Sequence, residues 1–359
     1  MLALGERGAA AAPQGLAGAA VGWRIVLAGP VVALVALLTA LLTTDAAGLP
    51  LRDPDHVAGR RLLLVLVLVV ALVGIDVLVR AARRCDGRWP SRLALASVRR
   101  ERWTTARCVA VGSALTSFYV TYLAYRNLKS IVPLLRPDAL FDRQLGALDR
   151  SLFGGGDPAE LMHAAFGTGI ATHVFSGSYM IFFVFIPGTL ALALVFSPHL
   201  QAGLFYATAQ SLNWLLGAGS YFLLPALGPV YVDRATFTTL PPTEVSRLQD
   251  LLFDQRLDFV RDPQGGTAQS IAAFSSLHVS IFFTAALAAH LLGMRWRLRV
   301  AAWLLLALTV GATIFLGWHY VVDDIGGLVL GAVALLLARM LTGVDLRALR
   351  RLGAGDPAG

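Results

Sequence analysis

Eight stretches of this chain are long and apolar enough to cross a lipid bilayer. They fall near residues 22–43, 62–81, 107–125, 171–197, 203–225, 272–292, 300–317 and 325–342. A run of roughly 20 apolar residues spans the hydrocarbon core as a helix, because no water is present there to satisfy an unpaired backbone. This excludes a soluble globular fold and predicts an all-α polytopic membrane protein. Charged residues are 14% of the 359, where soluble domains carry about 25%. Pro187 followed by Gly188 predicts a kink in the fourth stretch.

The net charge of +8 does not point to nucleic acid, because of where the charge sits. Arg83, Arg84, Arg88, Arg92, Arg99, Arg100 and Arg102 fall between the second and third spans. Arg295, Arg297 and Arg299 join the sixth to the seventh, and Arg347, Arg350 and Arg351 follow the eighth. The positive-inside rule places these segments and both termini in the cytoplasm, in the plasma membrane. The links after spans one, three, five and seven then face outward. Segment 25–42 follows a long tail and lacks a clear cleavage site, so it reads as a retained span. Cys85 and Cys108 give no basis for a disulfide or a metal site, and no cluster has metal-ligand spacing. No cofactor is expected.

Two outward links are long, residues 126–170 and 226–271. In the second, Val245, Leu248, Leu252 and Phe259 recur at near-helical spacing among charges. They predict an amphipathic helix, packed on the bundle or forming a rim beside a site.

Residues 315–327 read FLGWHYVVDDIGG. The i,i+4 spacing of His319 and Asp323 puts them on one face of a helix, one turn apart. A carboxylate that accepts from one imidazole nitrogen leaves the other free as base or nucleophile. The alternative is a satisfied polar contact between helices. Ionisable groups at membrane depth are costly, which favours function. Asp324 points about 100° away and reads as a cap or solvated helix end. Residues 274–280, FSSLHVS, open the sixth span, so Ser276 and His278 lie at its outer end. Two crossings separate them from His319, and all three therefore face the same side. Two histidines and a Ser hydroxyl at a helix N-terminus, where unpaired N–H groups suit an anion, read as phosphoryl chemistry. One His attacks phosphorus and the other protonates the leaving oxygen.

SSLH followed by HYVVDDIGG resembles the type-2 phosphatidic acid phosphatase superfamily, with its P-S-G-H and S-R-x5-H-x3-D motifs. The resemblance implies a six-helix core over 107–343, preceded by a mobile tail (1–21) and a two-helix extension with a basic cytoplasmic loop (22–106), and followed by a cytoplasmic tail (344–359). It implies that Ser276 binds phosphate, His278 is the general acid, His319 the nucleophile that becomes phosphohistidine, and Asp323 its orienting partner. Ser275 and Leu277 replace the Pro and Gly of the first of these motifs. Ala312 and Thr313 replace Ser-Arg, so one phosphate-binding Arg is missing. These departures, with YFLLPALGPVY, are similar to the inositol phosphorylceramide synthase branch, whose members transfer a phosphorylated headgroup between lipids.

The superfamily's K-x6-R-P motif is matched by Lys129, Arg136 and Pro137, and Lys129 is the only lysine among 30 basic residues. A compact ammonium suits a phosphate. By order along the chain, however, the corresponding place is nearer Arg234. Arg126 ends the third span, where it joins the phosphate pocket or snorkels to the interface. His173 and Tyr320 are weaker pocket candidates. His56, His163, His199 and His290 read as ordinary loop or interface residues. The expected partners are a lipid substrate, an alcohol or polyol acceptor and membrane lipids. The activity expected is lipid phosphotransfer, with lipid or polyprenyl phosphate hydrolysis as the alternative. A proton-coupled transporter is the reading from another class, disfavoured because the charges sit at helix ends and no repeated halves are visible.

Overall fold

The computed structural model describes residues 22–53, 56–87, 89–197, 199–265, 268–269 and 271–354, so the N-terminal tail read from the sequence lies outside the described residues. Among the described residues the chain is helical, without strands. It opens with α1 (Trp23–Ala46) and α2 (Val57–Arg84), then α3 (Arg92–Arg102) on the basic loop and the long α4 (Thr105–Leu135). The first long link carries α5 (Asp142–Leu152) and α6 (Pro158–Phe166), and α7 (Ile170–Met180), α8 (Phe182–Phe196) and α9 (Leu200–Leu223) follow. The second long link holds α10 (Pro229–Val232), α11 (Arg234–Phe237) and α12 (Glu244–Arg261). Last come α13 (Leu277–Leu291), α14 (Trp296–Phe315), α15 (Val321–Thr342) and α16 (Leu346–Ala354).

All eight sequence-read spans are helical. Six are long and apolar enough to cross a membrane: 23–46, 59–84, 105–135, 170–196, 296–315 and 321–342. The other two differ for physical reasons. α13 has only 15 residues. α9 carries Gln210, Ser211 and Asn213, which a lipid-facing helix would not tolerate. It is enclosed by α1, α4, α8, α13 and α15 instead. There Asn213 donates to Thr284 at 2.9 Å and accepts from Ser280 at 2.7 Å, while Gln210 donates to Tyr206 at 2.9 Å. α2, by contrast, turns Leu63, Leu64, Val67 and Val70 outward, a surface that suits lipid tails. The break in the fourth span falls at Ile181, not at Pro187, which stays inside α8. It follows the Gly177-Ser178 pair, whose Ser hydroxyl donates to the Phe175 carbonyl at 2.8 Å and competes with the helix ladder.

α1 is part of the bundle. It lies against α4, α9 and α15, with Ala28, Gly29, Val32, Ala33, Ala36 and Ala40 on the packed face. Small side chains let helices approach closely where lipid removes the hydrophobic drive to associate. Arg24 at its start donates to the Met340 and Leu341 carbonyls at 2.6 and 3.1 Å, so α1 begins beside the end of α15. At the opposite end of the bundle Arg52 and Gln264 join the link after α1 to the second long link: Arg52 donates to Pro263 O at 2.9 Å and Gln264 to Gly48 O at 3.1 Å.

Candidate active site

α14 stops because Gly317 takes φ +71°, a left-handed backbone that favours glycine. Trp318 N then donates to Thr313 O at 2.9 Å and Gly317 N to Ile314 O at 3.0 Å, the paired bonds of a Schellman end. The chain turns, and Tyr320 caps α15. Asp323 reaches back to accept from Tyr320 N at 2.9 Å. His319 therefore precedes the helix and does not lie on its face, as the spacing alone suggested. The cap turn still sets its Nδ1 3.5 Å from Asp323 Oδ2. His319 is 6% exposed and Asp323 0%. Asp324 is corrected more strongly: it is no solvated helix end. It is buried, accepts from Thr313 Oγ1 at 2.8 Å and faces the Ser276 side chain.

Ser276 caps α13, its hydroxyl accepting from Val279 N at 3.4 Å. Its own N–H donates to Asp323 O at 3.0 Å, which ties the starts of α13 and α15 together. The tie brings the His278 and His319 rings to 6.2 Å between centroids. His278 is held between Tyr179, stacked at 4.4 Å, and Phe182 at 3.9 Å. Trp318 stacks on the other side of the Tyr179 region at 5.2 Å, nearly parallel. Among the described residues, His278 Nε2, His319 Nδ1, Asp323 Oδ1, Asp324 Oδ1 and Trp318 Nε1 are buried without a hydrogen-bond partner. Buried polar atoms are almost always paired, and so many orphans around one point mark a place built for something else.

Two residues that sequence reading passed over brace this arrangement. Asp149 on α5 accepts from Val321 N at 2.7 Å and Val322 N at 3.0 Å, occupying the first turn of α15. Burial holds its carboxyl above the usual carboxylate range, outweighing the two N–H donors. Asp142 accepts from Leu227 N and Gly228 N, and from the Tyr320 hydroxyl at 3.2 Å. The available signal was their i,i+7 spacing in DRQLGALD, two carboxylates on one face of a short helix. Tyr179 and Phe182 left no such trace, being aromatic residues within an apolar run.

The basic candidates divide. Two spans separate Lys129 from Ser276 along the chain, but α4 packs directly on α9, which in turn packs on α13. Its ammonium lies 5.2 Å over the Tyr221 ring and 5.8 Å over Tyr125. No carboxylate lies within ion-pair distance of it among the described residues. The others are engaged elsewhere. Arg136 donates to the Phe222 carbonyl at 2.5 Å, Arg126 pairs with Asp53 at 2.9 Å, and Arg234 lies exposed beside Asp250 at 3.6 Å and over Phe253. His173 is exposed, and His163 bonds the Phe315 carbonyl at 2.8 Å. Among the described residues, no three His, Cys, Asp or Glu side chains are grouped to hold a metal ion.

No curated protein and no solved structure gave a match. A family model described as the PAP2 superfamily matches residues 143–337, more than half of the chain. That stretch contains Ser276, His278, His319 and Asp323, and it begins after α4, leaving Lys129 and Arg136 outside. Its members are typically phosphatases. The chain is a membrane protein of the PAP2 superfamily.

Proposed function

We propose that the protein transfers a phosphoryl group, or a phosphorylated headgroup, from a lipid to an alcohol acceptor through a phosphohistidine. The observation that carries this reading is the facing pair of histidines, 6.2 Å apart, on two helix starts joined by the Ser276–Asp323 bond. Rings this close suit a phosphoryl group held between them, with His319 turned to phosphorus and His278 to the leaving oxygen. The Nε2 lone pair of His319 attacks phosphorus, and the bond from phosphorus to the leaving oxygen breaks. His278, as imidazolium, gives its proton to that oxygen. His278, now neutral, then takes the proton of the acceptor hydroxyl as its oxygen attacks the phosphohistidine. The P–N bond breaks and both histidines are restored. Asp323 holds the orientation of His319 and stabilises its positive charge.

Lys129 and the first N–H groups of α13 supply positive potential for the phosphoryl oxygens. The start of α15 has no such capacity left, since Asp149 already occupies it. Ser276, 0% exposed beside Asp324, adds a hydroxyl. Charge placement supports a site on the extracytoplasmic face of the plasma membrane, with cytoplasmic termini. The near-complete burial of His319 and Asp323 favours transfer, because water is held back from the intermediate. Superfamily membership favours hydrolysis as the second reading. The test supplies lipids with a radiolabelled phosphate or phosphoinositol headgroup, with and without a lipid alcohol. Label in the acceptor lipid is the expected result. Label released only as free phosphate would select hydrolysis, and no turnover of any lipid phosphate would overturn both.

A further inference from the structure

The imidazole of His278 stands in the middle of a row of rings. Tyr179 lies on one side at 4.4 Å and Phe182 on the other at 3.9 Å. Beyond Phe182 comes Trp214 on α9, at 6.4 Å. Tyr125 lies 4.7 Å from the same indole, and the Lys129 ammonium rests 5.8 Å over Tyr125. Trp214 is therefore one ring away from both His278 and Lys129. Contacts between α9 and α13 give its depth. Just before α13, Ser275 N donates to Ser220 Oγ at 3.0 Å, and further along Ser280 donates to Asn213 at 2.7 Å. The two helices run antiparallel, so Trp214 is close to the level of Ser280. By the rise of two residues that is about 3 Å further into the bundle than His278. Its side chain tilts toward the start of α9, which takes the indole deeper still.

Trp214 is 5% exposed, and among the described residues its Nε1 is buried without a hydrogen-bond partner. A buried indole N–H ordinarily finds one. Its polar neighbours on α9 do: the Asn213 amide donates to Thr284 Oγ1 at 2.9 Å, and that of Gln210 to the Tyr206 hydroxyl at 2.9 Å. The rings around the indole are Phe118, Tyr122, Tyr125 and Phe182, and their π faces are weak acceptors. A phenylalanine would fill the same place without leaving a buried donor unmet.

We infer that Trp214 Nε1 donates a hydrogen bond to an acyl carbonyl of the substrate lipid, and so selects lipid phosphates with ester- or amide-linked chains. This rests on the phosphoryl-transfer reading and adds a specificity-determining residue to it. The order of groups along such a lipid matches the order of groups into the bundle. Its phosphate lies between the histidines, its carbonyls follow a few bonds away, and its chains extend beyond them. An N–H donor just below His278, in a wall of rings, meets the carbonyl and not the phosphate. The wall continues through Tyr122, 5.0 Å from Trp214, whose hydroxyl accepts from Arg61 on α2. The Arg61 guanidinium lies 5.9 Å over Phe183, which is 39% exposed. At this edge of α2 and α8 the chains would leave the bundle for the bilayer. A polyprenyl phosphate has no carbonyl and would leave the indole unmet.

The test uses the full chain in a detergent that carries no acyl ester, and measures dissociation constants for three short-chain lipids. They are a diester phosphatidic acid, its diether counterpart and a ceramide phosphate. The diether keeps the phosphate and the chains and lacks only the carbonyls. The wild-type protein is expected to bind the diester roughly threefold to tenfold tighter than the diether, the range for one neutral hydrogen bond. In Trp214→Phe, which keeps an aromatic ring and removes the N–H, that preference should disappear while diether affinity is unchanged. A purely structural role for the indole would weaken all three lipids together and preserve the preference, which overturns the inference. The ceramide phosphate separates the two carbonyl sources: whichever of it and the diester loses more affinity in Trp214→Phe carries the carbonyl that is read. Trp89→Phe, at an 88% exposed position, should change no affinity. Should Trp214→Phe fail to fold, the wild-type protein decides alone. A preference for the diester then supports the inference, and equal affinity for diester and diether overturns it while leaving the phosphoryl-transfer reading standing. A wild-type protein that binds none of the three lipids overturns both.

Discussion

Gly327 is where the two helices that carry the histidines come closest. A Cβ built on it would lie 2.4 Å from Ser276 O, with Val279 Cβ at 3.2 Å and Ser280 N at 3.3 Å. Side-chain carbons do not approach a backbone oxygen below 3.0 Å, so Gly327→Ala forces α13 and α15 apart by about 0.6 Å. The oxygen is backbone, and it cannot rotate away: Ser276 N is bonded to Asp323 O and Ser276 O accepts from Ser280 N, both at 3.0 Å. The shift therefore reaches His278, two residues on, while His319 stays with α15. Misplacement on the order of 1 Å costs about 10²-fold in rate, so turnover should fall by a factor of roughly ten to a hundred. Overpacking should cost about 1–3 kcal/mol of stability, read as a lower melting temperature in detergent. Two comparisons make the result specific. Gly326→Ala meets Ser275 Cβ at 3.1 Å and the Phe274 ring at 3.2 Å, side chains that can yield, and should lose less. Gly112→Ala has nothing within 4 Å and should behave as wild type. A folded Gly327→Ala enzyme with wild-type turnover would refute the claim that this contact sets the distance between the histidines.

His319→Ala and His278→Ala should each abolish turnover in a protein that stays monodisperse, and near-normal activity in either would reject its assigned role. Asp323→Asn should lower kcat by up to about 10⁴, the scale for an Asp–His pair that loses its charge. Lys129→Ala should cost about 2–4 kcal/mol of transition-state stabilisation, and Lys129→Arg should recover part; normal kcat/KM in both would remove Lys129 from the phosphate. Asp149→Asn replaces one of the carboxylate oxygens that accept from the first N–H groups of α15 and should lower stability by about 0.5–2 kcal/mol, measured by thermal unfolding. Chelation with EDTA should leave turnover intact, and loss reversed by Mg²⁺ would expose a metal requirement.

The spans and the pairing of His278 with His319 were legible because each rests on a local rule. An apolar run long enough for a bilayer has few other fates, and SSLH and HYVVDD put rare ionisable residues at span ends. What could not be read depends on which helices touch. The sequence order separates Lys129 from Ser276 by two spans, yet α9 lies between α4 and α13 and carries the Tyr221 ring on which the ammonium rests. Arg136 shows the converse. Its spacing from Lys129 fits the superfamily motif, but its guanidinium is committed to the α9 carbonyl of Phe222. Asp323 and Asp324 are neighbours whose roles differ through the turn at Gly317. One carboxylate closes the cap of its own helix, and the other reaches Thr313 on the helix before it.

The same geometry explains why so polar a cluster is stable inside a membrane protein. Each charge has a compensating backbone or hydroxyl donor: Tyr320 N for Asp323, Thr313 for Asp324, two α15 N–H groups for Asp149, and two loop N–H groups for Asp142. The acidic side of the site is thus fixed before substrate arrives. The basic side is not, because Lys129 has no carboxylate within ion-pair distance among the described residues. A bound phosphate would supply the missing counter-charge, so binding energy and site assembly would come from the same contacts. Removing Lys129 should therefore lower phosphate affinity, whereas removing Asp149 or Asp142 should chiefly lower stability.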